Sequence, residues 1–336
     1  MTRAYLAFTA KGLALAQKLA AAYPGSVTRC GHEAGQMHLA DWTARQFAGS
    51  DALVFVGAVG IAVRAIAPHC QSKATDPAVV VLDECGRFAV PLLSGHLGGA
   101  NDLARRLAAA CGAVPVITTA TDANGLFAVD EWAKKQNCAV WETPRIKLVS
   151  GALLAGKTVR YASPWAIAGT PPAGVAEAEE PANADFALTL TPQGNALHLI
   201  PRIGVLGVGC KRGTTAAQLE AAFAAFCADT NLAPVGITAA ASIDLKQNEP
   251  GLLEFCRSHG WPVSFYSAAQ LRAVPGTFSV SRFVQGVTGV DNVCERAAVL
   301  ASGGTLLLPK YAHTGVTFAA AVRPFAPDWR WKTDEA

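Results

Sequence analysis

Apolar residues along this chain fall into short unbroken runs, separated by stretches with a helical period. The run Ala52–Val56 ends at Gly57, and apolar positions at helical spacing follow through Ile61–Ile66. Ala78–Leu82 and Phe88–Leu93 are two further runs, joined by the turn Glu84-Cys85-Gly86-Arg87. Leu103, Leu107 and Cys111 mark the next helix, and Val114–Thr118 the next strand. Met1–Thr9 reads as the first strand. Apolar runs of this length predict strands. Alternation with amphipathic helices predicts an α/β fold with a largely parallel sheet.

The pattern changes after about residue 163, where Pro, Ala, Gly and Glu dominate and an irregular stretch is expected. Phe186–Leu190 and Ala196–Ile200 are short strand candidates beyond it. A second α/β pattern opens at Arg202 with the strand Ile203–Val208. Thr214 and Thr215 are suited to cap a helix whose apolar stripe is Leu219, Ala222, Phe223, Phe226 and Cys227. Strands Thr305–Leu308 and Val316–Ala321 close the unit. This divides the chain into an N-terminal α/β domain (1–140), a small middle segment (141–201), a second α/β domain (202–326) and a tail (327–336).

Composition narrows the function. The chain has 336 residues, 51% hydrophobic and 16% charged, enough to bury a sizeable core. It lacks the run of about 18 apolar residues that a membrane span needs. Its N-terminus does not read as a signal peptide. A net charge of +3 with no basic run argues against nucleic acid but leaves room for an anionic small molecule. Nine cysteines without a C-x-x-C pair read as buried thiols in a reducing cytoplasm, and no histidine pair has metal-ligand spacing.

Five stretches carry candidate chemistry. In the first, Gly57-Ala-Val-Gly60-Ile-Ala-Val-Arg64, a strand gives way to a helix whose first-turn N–H groups suit an anion, as an alternative to a plain tight turn. In the second, Ser94-Gly95-His96-Leu97-Gly98-Gly99-Ala100-Asn101 places Ser94 and His96 in a glycine-rich loop at a strand's end, where ligands of open α/β sheets gather. The third, Thr118-Thr119-Ala120-Thr121-Asp122, collects hydroxyls and a carboxylate, although Asp122 can equally cap a helix. The fourth, Gly207-Val-Gly209-Cys-Lys211-Arg212-Gly213, has a G-x-G-x-x-x-G spacing that departs from a dinucleotide fingerprint, so a nicotinamide oxidoreductase is the weaker reading. The fifth holds Asp244, Lys246 and Glu249, which a solvated ion-pair loop also explains; Lys310 and His313 follow a later strand.

These stretches closely resemble the cobalt-precorrin-5A hydrolase (CbiG) family of anaerobic cobalamin (vitamin B12) biosynthesis. Val56–Arg64, Lys73-Ala-Thr-Asp-Pro-Ala78, Pro91–Asn101 and Pro115–Asp122 look like its N-terminal domain. Gly207–Gly213, Ala241–Lys246, Val293–Glu295 and Leu308–Lys310 are similar to its C-terminal, CobE-like domain. The resemblance implies a hydrolase acting on a cobalt-bound tetrapyrrole. Water would open a lactone between the ring-A acetate and C20, and the two-carbon unit would leave as acetaldehyde to give cobalt-precorrin-5B. The cobalt arrives with the substrate, so no cofactor or protein metal site is expected.

That chemistry assigns His96 to proton transfer, Ser94 and the Gly98 and Gly99 backbone to hydrogen-bond donation, and Asp122 to orientation or a second acid/base role. Gly57, Gly60, Arg64, Lys73, Asn101, Thr119, Lys211, Arg212, Gly213, Lys246 and Lys310 are expected to bind the substrate's carboxylates and apolar faces, in a cleft between domains. The partners expected are the tetrapyrrole and, transiently, neighbouring pathway enzymes. A non-catalytic tetrapyrrole-binding or channelling protein is the alternative.

Overall fold

The computed structural model describes residues 1–31, 37–72 and 75–331. Lys73 therefore lies outside the described residues. The chain divides into two compact units, one built on residues 1–132 with 150–156 and the terminal segment from Trp331, the other on 133–149 and 157–330. No helix among the described residues is long and apolar enough to cross a membrane.

The first unit follows the order β1 (Arg3–Ala7), α1 (Ala10–Ala22), β2 (Ser26–Arg29), α2 (Leu39–Gly49), β3 (Ala52–Val56), α3 (Val59–Ile66), β4 (Ala78–Leu82), β5 (Phe88–Leu93), α4 (Ala100–Cys111), β6 (Val114–Pro115), α5 (Ala120–Ala123) and α6 (Val129–Lys135), the last running into the second unit. The sheet order is β2-β1-β3-β4-β5-β6. Every residue of β3 and β4 is buried, because helices cover both faces. Leu19 of α1 and Leu103 and Leu107 of α4 pack on one face; Trp42 of α2 and Ala62 and Ile66 of α3 pack on the other. The expected strand Val114–Thr118 shortens to two residues in β6, which pairs only with the first residues of β5.

Two strands run against the rest. β1 to β4 are mutually parallel, but β5 is antiparallel to β4, and β6 follows β5. The Asp83–Gly86 turn causes the reversal. The Asp83 carboxylate accepts the N–H groups of Cys85, Arg87 and Phe88, and Gly86 adopts φ 66°. A turn this short makes a hairpin and cannot make a parallel crossover. The loop after β5 therefore leaves the sheet at the edge where β3 and β4 begin.

The second unit holds two five-stranded sheets. One is built from β7 (Cys138–Val140), β8 (Val159–Ala162), β9 (Val175–Glu177), β10 (Phe186–Leu188) and β11 (Leu197–Pro201), in the order β7-β11-β10-β8-β9, with α7 (Ile146–Leu154) between β7 and β8 in sequence. Only β7 is antiparallel to its neighbour. The other sheet follows the chain order β12 (Gly204–Cys210), α8 (Ala216–Thr230), β13 (Ile237–Ile243), α9 (Pro250–Ser258), β14 (Val263–Tyr266), α10 (Ala268–Arg272), α11 (Arg282–Thr288), α12 (Cys294–Ser302), β15 (Thr305–His313) and β16 (Val316–Val322). Its order is β14-β13-β12-β16-β15, with β12 to β14 parallel and the β15–β16 hairpin antiparallel beside β12. Phe223 and Phe255 of α8 and α9 fill one face, and Leu271 and Ala297 of α10 and α12 the other.

Candidate functional site

The first unit gathers its titratable groups where the β5–α4 loop meets α5 and α6. Ser94 (φ 55°) and Gly99 (φ 86°) turn the loop back on itself, so that Ala100 and Asn101 donate their N–H groups to the Ser94 and Gly95 carbonyls. A side chain at Gly98 would lie 2.4 Å from the Ser94 Cβ and 2.7 Å from its carbonyl oxygen, so only glycine closes this loop. The loop presents His96 between two acids. Its Nε2 lies 2.7 Å from Asp122 Oδ2 on α5, and its Nδ1 lies 3.1 Å from Asp130 Oδ1 on α6. Asn101 donates to Thr119 Oγ1 and to Asp122 Oδ2, while Arg105, one turn further along α4, binds Asp122 Oδ1 at 2.5 Å. Arg105 also faces Glu131 at 3.9 Å.

With a carboxylate at each nitrogen, the imidazole holds both protons. Burial opposes the charge, but the bonds and charges of Asp122 and Asp130 outweigh it and push the His96 pKa up to about 10. For Asp122, burial works against ionisation; His96 and Arg105 overcome it and hold that carboxyl down at about 2. His96, Asp122 and Glu131 each offer a ligand atom within 4.8 Å of the others. A cation there would have to displace a firmly held proton and compete with Arg105, so the donor set fits an ion-pair network better than a metal.

Ser94 does not join this group: its hydroxyl is buried and donates to the Asp76 carbonyl, anchoring the loop to the start of β4. Gly57, Gly60 and Arg64 are not brought to it either. They follow β3 at the opposite edge of the sheet, a five-residue strand away, which is roughly 16 Å at about 3.3 Å per residue. Because the hairpin reverses β5, the two glycine-rich loops leave the sheet at opposite strand ends. The Gly57 N–H is itself taken by the Leu82 carbonyl.

The second unit holds a cavity of about 740 Å³ at the carboxyl ends of β12 and β13, beside the β15–β16 turn. The order of the sheet reverses at β12, the place where open α/β sheets bind ligands. Lys211, Arg212, Lys246 and Lys310 all line it. Lys246 is paired with Glu249 at 3.2 Å, whereas Lys211, Arg212 and Lys310 make no ion pair among the described residues. Ile243, Leu245, Val284 and Val287 give it apolar walls. Gly213 serves differently from expectation. Its N–H is donated to Glu249 Oε2, which with Lys246 holds that carboxyl below its ordinary range. In the first turn of α8 a capping box occupies the N–H groups of Thr215 and Gln218. Gly207 and Gly209 are packing positions: a Cβ would lie 1.8 Å from the Cys294 carbonyl at Gly207 and 2.4 Å from Thr317 Oγ1 at Gly209.

Comparison with known proteins follows this division. Residues 41–122 match the family model described as cobalamin synthesis G N-terminal, and residues 204–321 match cobalamin synthesis G C-terminus. A protein of Salmonella typhimurium named cobalt-precorrin-5A hydrolase is 36% identical over 296 residues, covering 83% of this chain and 84% of that one. The chain belongs to the CbiG family. A second relative of the same name, from Priestia megaterium, is 33% identical and covers 81% of this chain and 79% of its own. Protein CobE of a Sinorhizobium species is 33% identical over 120 residues, covering 35% of this chain and 78% of its own.

Within this CbiG chain the N-terminal match ends at Asp122. Asp130 and Glu131 lie just past it, and sequence reading missed both, since acids in a helix's first turn also serve the helix dipole. Arg105 was missed as well, although it lies one turn from Asn101 on the same face of α4.

Proposed function

We propose that this chain is a cobalt-precorrin-5A hydrolase that opens the ring-A lactone of its substrate and releases the C20 unit as acetaldehyde, giving cobalt-precorrin-5B. The observation that carries the reading is identity above 30% across about four-fifths of two relatives bearing that name. The charged cluster around His96 and the basic cavity of the second unit are both suited to such a substrate. A carboxylate-rimmed macrocycle with apolar faces matches a cavity of cations and aliphatic side chains.

His96 acts first as an acid in this reading. Its imidazolium polarises the lactone and protonates the departing alkoxide as water adds to the carbonyl carbon. The substrate oxygen replaces Asp130, the longer of the two contacts on the ring. The neutral imidazole left behind is a strong base, because Asp122 still faces it. It then takes the proton from the new C20 hydroxyl. The bond from C20 to the macrocycle breaks, the aldehyde C=O forms, and the electron pair passes to the macrocycle, which takes up the proton lost by the attacking water, while the other water hydrogen stays on the new carboxyl group. One water is consumed and one acetaldehyde leaves. Asp122, fixed by Asn101 and Arg105, orients the ring throughout. The same reading places the protein in a reducing cytoplasm, where its nine free thiols persist as thiols.

Purified protein is given cobalt-precorrin-5A, and acetaldehyde is followed by a coupled alcohol dehydrogenase. One aldehyde per substrate is expected, and His96→Asn is expected to slow its release by about 10²–10⁴-fold. No aldehyde from the wild type overturns the activity; wild-type rates from the variant overturn the role of His96. Tight binding of the macrocycle without aldehyde would favour a non-catalytic carrier, the reading suggested by the CobE match to the second unit.

A further inference from the structure

The cavity of the second unit contains a group that carboxylate binding does not use. His313 ends β15 and lines the cavity wall. It pairs with Val316 across a tight turn in which Thr314 and Gly315 adopt φ 46° and 85°. Its ring is half-buried and lies parallel to Tyr311, with centroids 6.3 Å apart. Among the described residues its nitrogens make no hydrogen bond or ion pair.

Several other electron-pair donors around the cavity are already engaged. Glu249 accepts the Gly213 N–H and holds Lys246. Asn292 Oδ1 accepts the Glu295 N–H, and the Ser242 hydroxyl is tied to the Val208 carbonyl. Burial pushes the Cys294 thiol up to about 11 and raises that of Cys210, so both keep their protons and are poor ligands. Anionic groups are matched by Lys211, Arg212 and Lys310. An imidazole lone pair among these cations calls instead for an electron-pair acceptor carried by the ligand itself.

Resting on the function proposed above, we propose that His313 ligates the substrate's cobalt from one face of the macrocycle while the three cations hold its rim carboxylates. An N–Co bond forms from the imidazole lone pair and a coordinated water leaves; no electron is transferred. Imidazole is a suitable ligand for first-row metals of this kind.

The probe is cobalt(II) cobyrinic acid, a corrinoid with free side-chain carboxylates, and the metal-free macrocycle is the control. Bound to wild type, the probe is expected to show cobalt electron-resonance lines split by one nitrogen into triplets, changing to doublets with ¹⁵N-histidine protein. His313→Phe and His313→Gln are expected to lose that splitting and to bind the cobalt probe about tenfold more weakly. Both should bind the metal-free control as wild type does, which also establishes that they are folded. A wild-type spectrum without nitrogen splitting, or splitting that survives in either variant, overturns the proposal and leaves the carboxylate pocket standing. Failure of the wild type to bind either macrocycle overturns the pocket and the proposal together, whereas absent aldehyde with intact nitrogen splitting would fall on the activity alone.

Discussion

An imidazole held between Asp122 and Asp130 is a cation at neutral pH, and that makes its contribution to stability depend on pH in a defined direction. The folded pKa, about 10, lies above the unfolded value of 6.5. The stabilisation is complete below pH 6.5 and is lost as pH rises toward 10. Asp122 behaves oppositely: held at about 2 against an ordinary 3.8, its contribution is present above 3.8 and lost as pH falls toward 2. Denaturant titrations of wild type and His96→Gln should therefore differ most between about pH 4 and 6.5, and the gap should close on the alkaline side. A gap that stays constant up to pH 10 would mean that the ring is not held as a cation. Ser94 calls for a different test. Ser94→Ala leaves the buried Asp76 carbonyl without its donor and is expected to cost about 1–3 kcal/mol of stability. Its kcat should remain that of wild type when measured well below the unfolding transition. A fall in kcat with unchanged stability would restore the hydroxyl to the chemistry.

At the level of elements, strands were easier to read than their directions. Ala52–Val56 and Ala78–Leu82 match β3 and β4 because buried strands are continuous apolar runs, and Phe88–Leu93 matches β5 although only its Ala89 is buried. The same run reads identically in either direction, and the information that sets direction sits in the four residues Asp83–Gly86. That turn leaves Gly57 and His96 at opposite ends of the strands. The His96 loop and Asp122 were legible because glycines, a histidine and hydroxyls concentrate there; Asp130 was not, because its partner lies 34 residues away. The Gly207–Gly213 stretch is a comparable case. Its glycines resemble a nucleotide loop although their spacing departs from one, and the first two let α12 and β16 approach β12. Gly207→Ala places a methyl 1.8 Å from the Cys294 carbonyl and should lower stability by about 3 kcal/mol or more, measured as a fall in thermal midpoint. Gly213→Ala, with open space around it, bears only the cost of its left-handed backbone, about 1 kcal/mol. Equal losses in the two variants would contradict the packing role.

Over the whole molecule the charge nearly balances at +3, so long-range attraction of an anion must come from how the cations are arranged. The second unit concentrates Lys211, Arg212, Lys246 and Lys310 around one cavity, with Glu249 as the acid among its lining residues. Because Glu249 offsets Lys246, the attraction falls to the three cations without ion-pair partners among the described residues. Lys211 and Arg212 are exposed, and at physiological ionic strength their field reaches only about 8 Å before salt screens it. The His96 pair is buried and much less open to screening. Added salt should therefore raise KM and leave kcat nearly constant. In the double variant Lys211→Ala, Arg212→Ala, KM should start higher and respond less to salt, again without loss of kcat. The measurement is steady-state acetaldehyde release over a range of ionic strength. A kcat that falls with salt in parallel with kcat/KM would place the salt-sensitive charges in the chemical step and remove the distinction between a gripping cavity and a reacting cluster.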